Sequence, residues 1–314
     1  MRKTLLSLAC VLMTATAAAA APAKVTFWHY FGDEGSTSAL NAMAAEFNKS
    51  QGKYQVTPVG VGDYKTLNVK LIASLRGGGQ PTMALVDNAF FTRLALGGQL
   101  APLDDLMNDL PKAAQSDFYP VLWDYGIAGG KRYGLPWAAS TLLLYYNTDL
   151  LKARNVAPPK TWAEFASAAK SLTTRASKGA VLICDAWIFG SIVTSRGGSL
   201  LTSDNLPNLD SAGTTGTLAF LQEMVRGGNA IARSTTEIEV AVMDFLRTKA
   251  AMVIAPSSAW AIANDHAVGF RPGVVPLPGK TLAGEAQLVV LKGAGTEETR
   301  GAYEFWKHLT TQKN

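Results

Sequence analysis

Short apolar runs alternate with amphipathic segments along the chain from about residue 24, and this alternation limits the possible folds more than any other feature. The runs are rich in Val, Ile, Leu and aromatic residues and are bounded by Gly, Pro or Asp, which is typical of strands. They predict strands at 25–29, 55–59, 83–86, 142–146, 180–184, 251–255 and 287–291.

The segments between these runs have the spacing of amphipathic helices. One buried helix face is predicted by the i, i+3, i+4, i+7 spacing of Leu40, Met43, Ala44 and Phe47. Thr161 and Glu164 have the spacing of a capping box, which predicts a helix that begins there. Strands that alternate with helices imply an α/β fold with mostly parallel sheets.

The first residues have the order of a secretory signal peptide. Positive charge at Arg2 and Lys3 is followed by an apolar stretch over 5–13 and by small residues over 17–21. The apolar stretch is shorter than a membrane-spanning helix requires. We therefore predict a signal peptide at 1–23 and a periplasmic or cell-surface location.

The chain has two cysteines, Cys10 and Cys184. The residues around Cys10 loosely resemble a lipoprotein box. The apolar stretch continues past Cys10, however, so lipidation stays an alternative. After removal of the signal only Cys184 would remain, and a single cysteine forms no internal disulfide. Its place after the apolar run 181–183 predicts a buried thiol at the end of a strand.

Composition and motifs point away from nucleic-acid binding and from catalysis. The formal charge of +5, from 29 Lys+Arg and 24 Asp+Glu, is not concentrated in a basic run. The three histidines lie far from one another and from any Cys or acidic cluster, which does not fit a metal site. The sequence has no nucleophile elbow and no phosphate-binding Gly-rich loop, and Asp104 and Asp105 stand in a predicted surface turn. We predict no enzyme activity, no catalytic residue, no metal ion and no cofactor.

Polar and aromatic residues recur where the predicted strands end. These residues are Trp28, His29, Tyr30, Asp87, Asn88, Asp185, Trp187, Ser257, Ser258 and Trp260. Open α/β sheets bind ligands at the carboxyl ends of their strands, and small-molecule sites combine aromatic walls with a few polar groups. Taken singly, each serine could be a plain helix cap and each aromatic residue part of the core. Their recurrence at successive strand ends predicts a small-molecule site.

Several short segments, in a fixed order and spacing, resemble a known family. The segments are Phe27-Trp28-His29, Asp63-Tyr64, Leu75-Arg76-Gly77-Gly78-Gly79-Gln80-Pro81, Tyr133-Gly134-Leu135-Pro136, Leu144-Tyr145-Tyr146-Asn147, Pro158-Pro159-Lys160-Thr161-Trp162, Ala250-Ala251-Met252 and Pro256-Ser257-Ser258. Together they resemble the extracellular solute-binding proteins of carbohydrate ABC importers (family 1). Within that family the chain is most similar to the glycerol-3-phosphate-binding branch.

This resemblance implies a type II periplasmic-binding-protein fold, in which two hinge-linked α/β lobes close on a solute. The first lobe would comprise 24–139 plus 286–314, and the second lobe would comprise 140–285. The resemblance also implies a monomer that captures a sugar or glycerol 3-phosphate in the interlobe cleft. Its partners would be that solute and the permease subunits of an ABC importer, with no role for nucleic acid.

The resemblance further implies which residues contact the solute. Carried over by position, they are Tyr64, Asp87, Ser140, Trp187, Ser257, Ser258 and Gly284. Where the branch has a glutamate, this chain has Asp87 and Asn88. The shorter side chain reduces the reach to a ligand hydroxyl, which leaves the solute open.

Family members usually continue through several helices beyond the counterpart of Asn314. In this branch those helices supply a tyrosine and a basic residue to the cleft, and a phosphate group requires such a basic partner. The resemblance therefore predicts an incomplete second lobe. Two alternatives follow from it and from the fold: a truncated family member with impaired or no ligand binding, or an exported hydrolase.

Overall fold

The computed structural model of the chain describes residues 21–204, 206–234 and 238–310. Cys10 and positions 1–20 of the predicted signal peptide lie outside the described residues. The described chain forms two compact units. Unit 1 runs up to Leu135 and resumes at Gln287, and unit 2 runs from Pro136 to Ala286. The lobe boundaries proposed from the sequence, at 139/140 and 285/286, stay a prediction.

Unit 1 is built on a five-stranded sheet. Its strands are β1 (Ala23–His29), β2 (Tyr54–Gly60), β3 (Met83–Asp87), β6 (Gly134–Ser140) and β12 (Gly284–Val290), and β4 (Ile127–Ala128) pairs separately with β5 (Lys131–Arg132). The strand order in the sheet is β2-β1-β3-β12-β6. The helices are α1 (Glu34–Ser50), α2 (Tyr64–Gly77), α3 (Asn88–Leu96), α4 (Asp104–Met107), α5 (Lys112–Ser116), α6 (Pro120–Asp124) and α13 (Thr296–Leu309). The chain enters unit 2 within β6 and returns within β12.

Two layers of helices bury the sheet of unit 1. On one side, Phe305 of α13 makes edge contacts with Phe27 of β1, at 6.0 Å between ring centroids, and with Phe47 of α1, at 5.4 Å. A second cluster joins Leu67 and Leu71 of α2 to α3 and β3. In α1, Leu40, Ala44 and Phe47 are buried as their spacing predicts, and Met43 is half-buried.

Unit 2 is built on a second five-stranded sheet. Its strands are β7 (Leu142–Asn147), β8 (Ala180–Cys184), β9 (Ala230–Ser234), β10 (Met252–Pro256) and β11 (Pro272–Pro276), in the order β11-β7-β10-β8-β9. The helices are α7 (Thr148–Ala153), α8 (Trp162–Leu172), α9 (Ala186–Ser195), α10 (Ala212–Arg226), α11 (Ile238–Leu246) and α12 (Ala259–His266). Buried side chains of β7, β8 and β10 form its core with α8 and α9.

The prediction of mostly parallel sheets is wrong for part of unit 2. Strand β8 pairs parallel with β9 and β10, but β7 pairs antiparallel with β10 and β11. A parallel pair requires a crossover connection between its strands. Strand β7 follows β6 after a single residue, Thr141, so no helical crossover sets its direction.

The prediction of a buried Cys184 is also wrong, because its side chain is exposed. The four residues before it in β8 are buried, and Cys184 is the last residue of the strand. The apolar run 180–184 is continuous, so it does not indicate where the helices that cover the sheet end. The next residue, Asp185, already caps α9.

Aspartate side chains fix the first turns of four helices. The caps of α1, α2, α3 and α9 are Asp33, Asp63, Asp87 and Asp185. The carboxylates of Asp33 and Asp63 each accept a backbone N–H at 2.7 Å, from Ser36 and Thr66. These hydrogen bonds hold the pKa of both carboxyls below their ordinary value, since they favour the charged form.

The capping box predicted at Thr161 is formed with one difference. Thr161 Oγ1 accepts the backbone N–H of Glu164 at 3.1 Å, as expected. The Glu164 carboxylate accepts from the N–H of Lys160 at 2.7 Å, one residue before the cap.

Among the described helices, none combines the length and the apolar character needed to cross a membrane.

Substitution of Gly179 tests the packing of β8 against α8. A Cβ atom at this position would overlap the backbone of Ala169, which has little freedom to move. We expect Gly179→Ala to lower the free energy of unfolding by about 1–3 kcal/mol, as overpacking does. Urea unfolding of the purified protein measures this difference.

Gly216 provides the matched control, because it lies in α10 and a Cβ there would meet nothing within 4 Å. We expect Gly216→Ala to be neutral or to stabilise the protein by about 0.5–1 kcal/mol, since alanine favours a helix interior. Equal stability of the two variants would contradict the packing argument.

Candidate functional site

In unit 1, the predicted residues gather where β1 and β3 end. These two strands pair in parallel, so their carboxyl ends lie at the same edge of the sheet. Tyr30 follows the end of β1, and Asp87 is the last residue of β3. Tyr64 opens α2, directly after its cap Asp63.

Tyr30 and Tyr64 form a stacked pair at this edge. Their ring centroids are 3.9 Å apart and their planes differ by 24°. Burial raises the pKa of both phenols, and in Tyr64 the neighbouring Tyr30 and the charge of Asp87 raise it further. Both hydroxyls therefore stay protonated at physiological pH, and a hydrogen bond between the two side chains engages one of their O–H groups.

Asp87 is held in place by two hydrogen bonds. Its Oδ1 accepts the backbone N–H of Phe90 at 2.9 Å, and its Oδ2 accepts from Asn68 Nδ2 at 3.0 Å. Asn68 lies one turn after Tyr64 in α2, so the helix that Tyr64 opens also holds the Asp87 carboxylate.

Two amide oxygens beside Asp87 lack a donor. Asn68 Oδ1 and Asn88 Oδ1 are buried and have no hydrogen-bond partner among the described residues. Buried polar atoms of this kind are rare in folded proteins, since an unmade hydrogen bond is unfavourable. Asn68 Oδ1 and Asn88 Oδ1 are therefore two acceptors whose hydrogen-bonding capacity the described residues leave unused.

One cation of α2 is engaged with an aromatic ring. Lys70 of α2 places its Nζ 4.4 Å from the ring centroid of Trp28 in β1. Trp28 is only partly buried, so its ring face is accessible to the ammonium group.

In unit 2, two of the predicted site residues, Ser140 and Ser257, come together at the end of β6. Ser140 Oγ and Ser257 Oγ are 3.1 Å apart, although 117 positions separate them in sequence. Ser257 follows β10, and the Tyr145 hydroxyl donates to the Pro256 carbonyl at 2.8 Å, which fixes the end of that strand. Ser258 is exposed, and its side chain does not cap α12.

Trp187 and Gly284, also predicted, are in direct contact. Trp187 stands in the first turn of α9, where its backbone N–H donates to Asp185 Oδ1 at 2.9 Å. Its indole Nε1–H donates to the Leu282 carbonyl at 3.2 Å. A Cβ atom on Gly284 would lie 2.5 Å from Cζ2 of the indole, so only glycine fits there.

A threonine pair links these two groups of unit 2. Thr141 Oγ1 and Thr281 Oγ1 are 3.0 Å apart, and the backbone N–H of Thr141 donates to Ser257 Oγ at 3.4 Å. Of the predicted residues in unit 2, Ser140, Ser257, Trp187 and Gly284 thus belong to one connected set. Ser258 stands outside these contacts.

Four side chains described at these surfaces were not predicted from the sequence: Asn68, Lys70, Thr141 and Thr281. Asn68 had a detectable signal, because it lies four residues after Tyr64 and shares its helix face. Thr141 and Thr281 had no local signal, since 140 positions separate them.

The two surfaces present hydroxyls, amide and carboxylate oxygens and aromatic rings, which is the chemistry of hydrogen bonding and stacking. No cluster of three or more His, Cys, Asp or Glu suited to a metal ion occurs in the described part of the chain.

His29 lies in the core directly behind the Tyr30 edge. Its ring is fully buried, and neither ring nitrogen has a hydrogen-bond partner among the described residues. Gly60 allows this packing, since a Cβ there would be 3.2 Å from His29 Cε1. Phe31 covers the ring at 5.4 Å between centroids. Burial lowers the pKa of His29 below its ordinary value of 6.5.

Comparison with known proteins gives a family match and close structural likenesses. The profile of the family described as "Bacterial extracellular solute-binding protein" matches residues 32–314. The chain is 25% identical over 329 residues to the sn-glycerol-3-phosphate-binding periplasmic protein UgpB of Yersinia pestis bv. Antiqua (strain Antiqua). That alignment covers 96% of this chain and 73% of the relative.

Two solved structures resemble the described chain. The GacH receptor of Streptomyces glaucescens GLA.O, studied unliganded and in complex with acarbose, matches with a TM-score of 0.80 and 26% identity, covering 93% of this chain and 76% of the receptor. UgpB from Mycobacterium tuberculosis, in complex with glycerophosphocholine, matches with a TM-score of 0.81 and 23% identity, covering 92% and 75%. At that identity the second likeness concerns the fold alone.

The buried imidazole of His29 predicts a pH-dependent stability. Above the unfolded pKa of about 6.5, the ring is neutral in both states. As the pH falls below this value, the unfolded chain binds a proton that the folded chain does not. The free energy of unfolding then decreases by at most about 1.4 kcal/mol per pH unit from this group.

We expect His29→Leu, which has similar volume and does not titrate, to flatten this dependence. Urea unfolding of both proteins between about pH 8 and pH 5 measures the two slopes. All other titrating groups are common to the two proteins. If the slopes agree below pH 6.5, the buried ring does not resist protonation and this interpretation of His29 is wrong.

Proposed function

The chain belongs to the family of bacterial extracellular solute-binding proteins, and from this premise we propose that it captures a hydroxyl-rich solute for an ABC importer. The predicted family and the predicted two-lobed α/β fold are confirmed. The proposed solute is a sugar or a glycerol-3-phosphate-type compound, and the proposed outcome is delivery to a membrane permease without chemical change. The absence of part of the second lobe stays a prediction.

The observation that carries the proposal is the pair of buried amide oxygens on Asn68 and Asn88. Both oxygens lack a donor; Asn68 also donates to the Asp87 carboxylate, and Asn88 follows Asp87 in the chain. A solute with several hydroxyls can donate to such acceptors and accept from the phenols. Aromatic rings and a few placed polar groups are typical of small-molecule sites.

The unit 2 surface supports the same solute chemistry. Ser140, Ser257, Thr141 and Thr281 supply hydroxyls, which both donate and accept. Trp187 adds an aromatic ring. We propose that the residues implied by the family resemblance contribute to solute binding in this way, namely Tyr64, Asp87, Ser140, Trp187, Ser257, Ser258 and Gly284.

The charges favour a neutral sugar over a phosphate ester. A phosphate is held best by a bidentate basic group, and the basic side chain in the contacts described above, Lys70, lies over Trp28. The relatives are named for sn-glycerol 3-phosphate or were studied with glycerophosphocholine or acarbose. Hydroxyls on neighbouring carbons are common to glycerol phosphates and sugars, and we propose that this feature is what the chain recognises.

The proposed place of action follows from the family. Relatives are periplasmic or extracellular proteins, as their names state. We propose that this chain likewise acts outside the cytoplasmic membrane as a monomer, with a permease as its partner. This proposal needs no cofactor.

A panel of solutes tests the proposed function. We expect maltose or trehalose to raise the Tm of the purified protein, and glycerol 3-phosphate or glycerophosphocholine to raise it less. A solute at about 100 times its Kd stabilises the folded protein by about 2.7 kcal/mol, which thermal unfolding readily detects. If no member of the panel changes Tm or gives heat in a calorimetric titration, the proposal fails.

Variants of Tyr64 test the placement of the unit 1 surface. Tyr64→Ala removes both the stacked ring and the hydroxyl, and we expect it to raise the solute Kd by about tenfold or more. Tyr64→Phe keeps the ring, so its Kd should lie between those of Tyr64→Ala and the wild type.

The matched control is Tyr119→Ala, which removes a tyrosine of unit 1 that is 75% exposed and lies before α6. Its Kd should equal that of the wild type. A Tyr64→Ala protein with wild-type affinity and an unchanged Tm would place the solute elsewhere.

A further inference from the structure

The segment that leads the chain out of unit 2 is held by several hydrogen bonds. This return segment, residues 277–283, joins β11 to β12. Connecting segments normally lie on the surface with few attachments and are mobile. Here, contacts hold the segment to α9 at both ends of that helix.

At the carboxyl end of α9, Ser195 is the attachment point. Its hydroxyl donates to the Pro278 carbonyl and accepts from Trp162 Nε1–H, the latter at 3.0 Å. Gly279 then turns the chain with φ +82°, and a Cβ there would lie 2.5 Å from the Ser195 carbonyl oxygen. Glycine is required both for the left-handed backbone and for the close approach.

At the amino end of α9, Trp187 is the attachment point. Its indole N–H donates to the Leu282 carbonyl at 3.2 Å, and the six-membered part of the indole occupies the space beside Gly284. In the middle of α9, Gly190 leaves room for the Leu282 side chain, which would be 3.2 Å from a Cβ. Thr281 is attached separately, to Thr141.

The lengths of the two elements agree. From Trp187 to Ser195 the helix rises about 12 Å over eight residues. The chain from Pro278 to Leu282, which bends at Gly279, can span at most about 13 Å, so it can reach from one attachment point to the other. The return segment therefore runs along α9 in the opposite direction, held near each end.

We propose that Trp187 is a positioning residue that sets the path of the return segment, and that Gly284 must be glycine because the indole fills the adjacent space. In this assignment the indole N–H is used within the protein. Trp187 thereby places Thr281 and Gly284, which belong to the proposed solute surface. The inference rests on the proposed function only for its effect on solute binding.

A cycle of three variants separates this role from simple contact with solute. Gly284→Ala should raise the solute Kd by about tenfold, because its Cβ meets Cζ2, Cε2 and Cη2 of the indole. Trp187→Phe lacks the outer ring atoms. In the Trp187→Phe background the same Gly284→Ala change should therefore raise the Kd by less than about threefold, a clear departure from additivity.

Hydrogen exchange supplies a readout that needs no solute. We expect amides of 279–286 to exchange at least about tenfold faster in Trp187→Ala than in the wild type, while the amides of β8 and β10 keep their protection. The control Gly216→Ala should leave the exchange of 279–286 unchanged.

The outcomes distinguish the two proposals. A wild-type protein that binds no solute of the panel refutes the proposed function, while the exchange data still decide the path of the segment. Unchanged exchange over 279–286 in Trp187→Ala refutes the positioning role. So does a Gly284→Ala effect on Kd that is equal in the wild-type and Trp187→Phe backgrounds.

Discussion

The parallel pairing of β1 with β3 and of β8 with β10 is the constraint on which both candidate surfaces depend. Strands that run in parallel end at the same edge, so the residues that follow them become neighbours whatever helices intervene. In unit 1 this edge carries Tyr30 and Asp87. In unit 2 it carries Asp185, which caps α9 and so orients Trp187, together with the serine that follows β10.

Aspartate caps convert this strand order into defined side-chain positions. Asp63 starts α2 so that Tyr64 is its first residue and Asn68 follows one turn later. Asp87 both starts α3 and accepts from Asn68, so a helix cap and a site residue are the same side chain.

Local patterns made much of the fold predictable from the sequence. The run 180–184 is β8 with the same bounds, because an apolar strand between turn residues has a clear signature. Asp63-Tyr64 and Thr161 mark helix starts through capping chemistry that acts within four residues. The choice of site residues came from a family resemblance, and it comprised Tyr64, Asp87, Ser140, Trp187, Ser257, Ser258 and Gly284. Their solute contacts stay a prediction, although all but Ser258 have packing or hydrogen-bond contacts within these surfaces.

Contacts between residues that are distant in sequence could not be predicted from local patterns. The Tyr30–Tyr64 stack and the Thr141–Thr281 hydrogen bond depend on how separate strands align, which no local pattern encodes. The antiparallel direction of β7 was missed because its pairing with β10 and β11, more than 100 positions away, is not encoded in the local apolar run. Exposure of Cys184 was missed because burial at a strand end depends on where covering helices stop.

The central claim is that a hydroxyl-rich solute is bound by the unsatisfied acceptors and the stacked tyrosines at the β1–β3 edge. A crystal structure of the protein with the tightest-binding sugar tests this claim most directly. We expect solute hydroxyls within about 3.2 Å of Asn68 Oδ1 and of the Tyr64 hydroxyl. A sugar that is well ordered but contacts neither Tyr64 nor Asn68, with both amide oxygens still lacking donors, would contradict it.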